Sequence, residues 1–127
     1  MPFIHIQSLP VSESHFSLNR ILPAVSHDFS TALEMSQDFI TVTWQFYPPN
    51  SYCVGGRVSP SQPKHTHPVL IEVFAPDFNS PEKIETMLTV VANSVAAHAS
   101  IDVKNIFASF RPARAGQVFS NGVVEYW

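Results

Sequence analysis

A strand pattern, a helix pattern and a second strand pattern follow one another twice in this chain, and that order restricts the fold more than any single residue does. Phe3 to Gln7 alternates like a strand and stops at Leu9-Pro10, because proline cannot donate to a ladder. Leu18, Ile21, Leu22, Val25, Phe29, Ala32 and Leu33 then recur by threes and fours, the period of an amphipathic helix. Pro23 sits inside that pattern. It predicts a helix that starts near Asn19 or kinks at the proline, and that ends around Met35. Asp38 to Phe46, rich in β-branched and aromatic residues, reads as the second strand. The second round is Val69 to Phe74, a helix opened by Ser80 as N-cap and Pro81 at its first position, and a strand over Val103 to Phe110.

Between the two rounds lies Tyr47 to Pro68, with prolines at 48, 49, 60, 63 and 68 and the pair Gly55-Gly56. This is loop chemistry, with room for a short hairpin within Tyr52 to Val58. Arg111 to Gly116 reads as a turn, and Asn121-Gly122 between two apolar pairs is a hairpin signal. The expectation is an α+β domain spanning residues 1 to 127. Two consecutive β-α-β units form a four-stranded mixed sheet with two helices on one face, plus short extra strands.

That arrangement leaves one sheet face bare, and composition says how it is covered. Of the 127 residues 45% are hydrophobic and only 13% charged, about half the charged share of a usual soluble domain. Such a surface is expected to pack sheet to sheet in an oligomer. A net charge of −3 and the lack of any basic run argue against a nucleic-acid partner. No apolar run is long enough to span a membrane, no signal peptide is visible, and the single Cys53 excludes an internal disulfide framework. The expected location is the cytoplasm.

The chain begins Met1-Pro2-Phe3-Ile4. Trimming of Met1 makes Pro2 the amino terminus, with a secondary amine in place of an amide. An α-amine titrates near neutrality, an apolar pocket or nearby cation lowers it further, and the ring holds the nitrogen rigidly on the strand behind it. Pro2 is therefore a candidate base. If Met1 is retained, the nitrogen is an amide and this chemistry is lost.

A proline at position two ahead of a strand, two β-α-β units and this length together resemble the tautomerase superfamily, which includes 4-oxalocrotonate tautomerase, 5-carboxymethyl-2-hydroxymuconate isomerase and macrophage migration inhibitory factor. The ending Gly116-Gln117-Val118-Phe119-Ser120-Asn121-Gly122 is similar to the closing strands of its longer members. The resemblance implies a homotrimer with sites between subunits, no cofactor, and keto–enol proton transfer on a small 2-oxo acid or related enol by the terminal proline. By position it also implies that Phe107 and Ser109 face the site, two residues apart on one strand. The phenol and amide of the best-known members are absent there.

A substrate carboxylate or enolate calls for an arginine fork. The candidates are Arg111, after the fourth strand, Arg57, in the long loop, Arg114, and Arg20, early on the first helix. Arg111 and Arg57 are taken as substrate binders. His65-Thr66-His67 has chelating spacing but flanking prolines and no third ligand, so no metal is expected. Cys53 has no neighbouring base, Gly55-Gly56 is only a turn, and His5 faces either a site or an interface. Two other functions fit the same scaffold. One is a non-catalytic binding or signalling protein. The other is a lyase- or dehalogenase-like enzyme in which protonated Pro2 is an acid, with Glu72 or Glu125 as the strand carboxylate to activate water.

Overall fold

The computed structural model describes residues 2–127, and the question of Met1 lies outside them. Strand β1 (Phe3–Ser8), helix α1 (Leu18–Leu33) and strand β2 (Thr41–Phe46) make the first unit. Strand β5 (Val69–Pro76), helix α2 (Pro81–Ala99) and strand β6 (Ile106–Ala113) make the second. Within each unit the strands run parallel, while β1 and β5 pair antiparallel at the centre, giving the order β2-β1-β5-β6. The mixed sheet expected from the periodicities is therefore present.

Alternation along the strands decides which face takes the helices. Ile4 and Ile6 of β1 and Val69, Ile71, Val73 and Ala75 of β5 are buried against Ile21, Val25 and Phe29 of α1 and Met87, Val91 and Val95 of α2. Phe29 is wholly buried, and its truncation to alanine should cost about 3–5 kcal/mol. The buried polar groups are partnered: the Trp44 indole N–H donates to Ser8 Oγ at 3.0 Å, and Ser8 Oγ donates onward to the Leu9 carbonyl at 2.8 Å.

The boundaries differ from the sequence expectation in three places. Helix α1 begins at Leu18 and ends at Leu33, with Pro23 in its second turn and Glu34 in the left-handed region closing it. Gln37–Phe39 and Val103–Asn105 are single 3-10 turns, not the starts of β2 and β6. In each a short polar side chain captures a nearby backbone N–H, Ser36 from Asp38 and Asp102 from Lys104, so local capping wins over strand propensity. Strand β6 then runs on through Arg111 to Ala113 because its partner β5 extends to Pro76. Arg111 is thus a strand residue, not part of a turn.

The long excursion does contain a hairpin, β3 (Cys53–Val54) and β4 (Arg57–Val58), across Gly55-Gly56. The rest is ordered by side chains. Gln62 accepts from the Leu9 amide and donates to the His67 carbonyl, while Asn105 donates to the Pro63 and Thr66 carbonyls. The terminal hairpin, β7 (Phe119–Ser120) and β8 (Val123–Val124), turns at Asn121 and Gly122 with φ of 54° and 82°, the mirror-image turn that Asn-Gly favours.

Candidate active site

Pro2 is fixed before any partner is considered. Its carbonyl accepts from the Thr41 amide at 3.0 Å, which carries the β1–β2 ladder one step beyond Phe3. The ring is buried. In front of it opens a cavity of about 480 Å³ lined by Pro2, Phe3, Asp38, Phe39, Thr41, Ser120, Asn121 and Glu125. Two walls come from the edge of the first unit: Thr41 heads β2, and Asp38 and Phe39 belong to the 3-10 turn before it. The third wall is the terminal hairpin, which folds back over the start of its own chain.

That hairpin is held at both ends. The Gly116 amide donates to the Glu125 carbonyl at 2.7 Å and the Glu125 amide to the Val118 carbonyl at 2.8 Å. Beyond it the Trp127 indole N–H donates to Asp77 Oδ1 at 3.1 Å, and its ring meets Phe78 edge-on at 6.1 Å. Glu125 is thereby fixed at the cavity wall. The sequence offered Glu125 only as a strand acid, and Asp38 as part of a strand. Their approach to Pro2 depends on two local turns, which hydrophobic periodicity does not report.

The other expected site residues lie elsewhere. Phe107 and Ser109 do share one face, as their spacing requires, but it is the bare face of the sheet, where they line a smaller cavity of about 270 Å³ with His5, Gln7 and Glu72. Register places Ser109 level with Glu72 and His5, and Phe107 level with Leu70 and Gln7. Phe107 is thus two strands across from β1, about 10 Å, and several residues further along. Arg111 is level with Phe74 and Phe3, yet its guanidinium sits 4.2 Å over the Phe74 ring and donates to Glu72 Oε1 at 3.0 Å. Neither Arg111 nor any other arginine or lysine is among the described residues lining the Pro2 cavity.

Of the remaining candidates, Arg20 and His67 make structural contacts, and none lines the Pro2 cavity. Arg20 donates to the His15 and His98 carbonyls, both at 3.1 Å, tying the start of α1 to the end of α2. His67, almost fully buried and in the left-handed region, hydrogen-bonds the Arg57 carbonyl through Nε2 and packs against Tyr52. His65 instead faces Asp102, so the two histidines do not converge, and no group of three metal-ligating side chains occurs among the described residues. Burial, with a smaller contribution from Tyr47, raises the Tyr52 phenol and keeps it a donor to the Pro68 carbonyl. Cys53 is exposed. Arg57 and Arg114 are exposed and enter none of the ion pairs among the described residues. His5 faces Thr43 at 2.6 Å on the bare sheet face.

Asp28 is the other carboxylate in an organised setting. Burial pushes its pKa up, but hydrogen bonds from Ser94 and His98 and the charges of His98 and His27 outweigh that and leave it below the usual range. It joins α1 to α2, far in sequence from Pro2.

No protein-family model matches the sequence, and no curated protein matches it either. Solved structures do match. Native fused 4-OT superimposes with a TM-score of 0.80 at 10% identity, covering 96% of this chain and 94% of that one. Macrophage migration inhibitory factor from Oncomelania hupensis gives 0.73 at 18% identity, over 98% and 83%. N1, a member of the cis-3-chloroacrylic acid dehalogenase family, gives 0.75 at 12%, over 97% and 82%. The chain therefore has the tautomerase-superfamily fold. At these identities the likeness is one of architecture. No helix among the described residues is long and apolar enough to cross a membrane.

Proposed function

We propose that this protein, in the form beginning at Pro2, transfers a proton between the keto and enol forms of a small 2-oxo acid or related enol, with the Pro2 amine as general base. The observation that carries the reading is the Pro2 cavity: the buried Pro2 ring borders a space of about 480 Å³ walled by Phe3, Asp38, Phe39, Thr41, Ser120, Asn121 and Glu125. Enolisation needs a base matched to the working pH and a donor for the developing enolate oxygen. Thr41, Ser120 and Asn121 are the neutral donor side chains among the described lining residues.

The working unit in this reading is a homotrimer. Structures of fused 4-OT are trimers, and here the bare sheet face carries Phe3, Phe74 and Phe107 partly or largely uncovered. Phe107, Ser109, Arg111 and Arg57 contribute to a site only across subunits. Among the arginines, Arg57 is the freer one, since Arg111 is engaged by Glu72.

The test compares the trimmed protein with a form keeping Met1, after intact mass has established which is which. The trimmed form should ketonise an enol, and the Met1 form should not. One protein of this fold is inactivated by 2-oxo-3-pentynoate, and the same reagent should add one mass equivalent at Pro2. Equal turnover by both forms rules Pro2 out as the base. Sedimentation at micromolar concentration should give three chains per particle.

A second reading is favoured by Glu125. A carboxylate in the Pro2 cavity suits an enzyme in which Pro2 is the acid and Glu125 activates water. The pH profile separates the two. Activity that rises with pH through the Pro2 titration belongs to the base, and activity that falls belongs to the acid.

A further inference from the structure

We propose that His67 is the positioning residue for Arg57, fixing the pose from which that guanidinium takes a substrate carboxylate at the site of a neighbouring subunit. This rests on the proposed proton transfer and on the part across subunits that Arg57 has in it.

Strand directions place the two residues. Pro2 precedes β1, β2 runs parallel to β1, and β5 runs antiparallel to it. The excursion from the close of β2 to the start of β5 therefore lies at the end of the sheet away from Pro2. Six-residue β1 separates the two ends by about 20 Å. Arg57 is thus out of reach of the Pro2 in its own chain, and a site it serves belongs to another copy.

The excursion is gathered around His67, which is only 4% exposed. Its φ of 56° is one a non-glycine residue keeps only where its surroundings hold it. Nε2 lies 2.9 Å from the Arg57 carbonyl and Nδ1 lies 3.2 Å from Thr66 Oγ1. A carbonyl can only accept, so Nε2 carries the proton and Nδ1 accepts from the Thr66 hydroxyl. The Tyr52 ring meets the imidazole edge-on at 5.2 Å, and Gln62 Nε2 donates to the His67 carbonyl at 2.6 Å. The imidazole is enclosed by its own chain, so these contacts hold whichever subunits pack around it. The grip ends where the arm begins. Cys53, Gly55, Gly56, Arg57 and Val58 are exposed, and the Arg57 guanidinium folds back over the turn, with one nitrogen 4.0 Å from where a Cβ on Gly55 would stand. No ion pair among the described residues engages it. The arm thus presents a free cation, and the buried side chain holding its backbone is His67.

The test uses the trimmed full chain, with sedimentation and melting showing that each variant assembles and folds. His67→Leu fills the space without a donor, and His67→Gln keeps an N–H at similar reach. Each is assayed on an enol acid and on its methyl ester, relative to the parent. His67→Leu should raise KM for the acid about tenfold, the cost of a misplaced binding group, with the ester unchanged. His67→Gln should recover most of the loss. In Arg57→Ala, adding His67→Leu should raise KM for the acid no further, because both changes act through one group. Equal losses on acid and ester, or losses that add in the double variant, make His67 an ordinary structural residue and overturn the proposal. Where His67→Leu does not assemble, Thr66→Val takes its place by removing the hydroxyl that fixes the tautomer. A smaller loss confined to the acid supports the proposal, and none overturns it.

A second readout needs no turnover. Benzoate binding is followed in NMR by the shift of the Arg57 Nε–H signal. It should weaken about tenfold in His67→Leu, as the acid KM does, and return in His67→Gln. If the trimmed parent turns over no enol, the base reading fails and benzoate decides alone: that pattern upholds the proposal, and binding that is absent or unaltered overturns it. If turnover holds while benzoate binds the parent and both His67 variants alike, the proposal fails and the base reading stands.

Discussion

Two depressions on the same sheet treat their charges in opposite ways. On the bare face, Glu72 lies level with His5 and Ser109 and is satisfied by Arg111 at 3.0 Å, which itself rests on Phe74. At the start of β1, Asp38 and Glu125 line the Pro2 cavity, with no lysine, arginine or histidine among its described lining residues. The bare face is arranged as a surface to be covered: charge is paired and aromatic rings are uncovered around it. The Pro2 cavity, by contrast, is lined by two carboxylates that enter none of the ion pairs among the described residues. Of the residues expected to bind substrate, Phe107, Ser109 and Arg111 lie on the bare face and Arg57 in the long excursion, while the expected base, Pro2, lines the other cavity.

The comparison breaks most readily at Pro2. Converting its amine to an amide by retention of Met1 should lower kcat/KM for enol ketonisation about 10²–10⁴-fold, the usual worth of a general base. A smaller loss would mean that the cavity is a binding site whose chemistry lies elsewhere.

A next step asks whether the two surfaces meet between subunits. The double variant Phe107→Ala/Ser109→Ala removes two side chains that share no cavity with Pro2 in the same chain. Steady-state assays should show a loss of about tenfold, equal to about 1.4 kcal/mol of transition-state binding, provided the trimer persists in sedimentation. Unchanged kinetics would confine the site to one chain.

Trp127→Ala loosens the wall that carries Glu125. It removes the Asp77 hydrogen bond and the Phe78 contact, each worth about 1 kcal/mol. The expected result is a KM raised several-fold together with a lowered melting temperature, read by kinetics beside thermal melting. An unchanged KM would show that the hairpin does not hold ligand.

The smallest effect belongs to the paired carboxylate of the helix seam. Because the folded pKa of Asp28 is depressed, its contribution is present above the unfolded value of 3.8 and is lost as pH falls through the folded value. Its side chain is 39% exposed, so solvent screening limits the contribution to about 0.5–1 kcal/mol. Asp28→Asn should lower stability by that amount at neutral pH and converge with the parent in acid, measured by urea unfolding at several pH values. A constant difference down to the lowest pH would assign the loss to packing.

By itself the sequence determined the two β-α-β units, the helical stripes that face the sheet, the Ser80-Pro81 helix start and the Asn121-Gly122 hairpin. All of these are written in local periodicity and turn chemistry, which act over a few residues and are printed in their order. The same locality made Phe107 and Ser109 legible as neighbours on one face. Only the tertiary structure decided which face that was, because the antiparallel β1–β5 pairing sets the level of every residue on β6 relative to Pro2, and pairing across 60 or more residues leaves no periodic trace. Tertiary structure also decided that Arg111 would be engaged by Glu72, and that Asp38 and Glu125 would stand beside Pro2. Those placements follow from one capped turn and an anchored hairpin meeting at one end of the sheet, where position in space and not spacing in the chain selects the companions of Pro2.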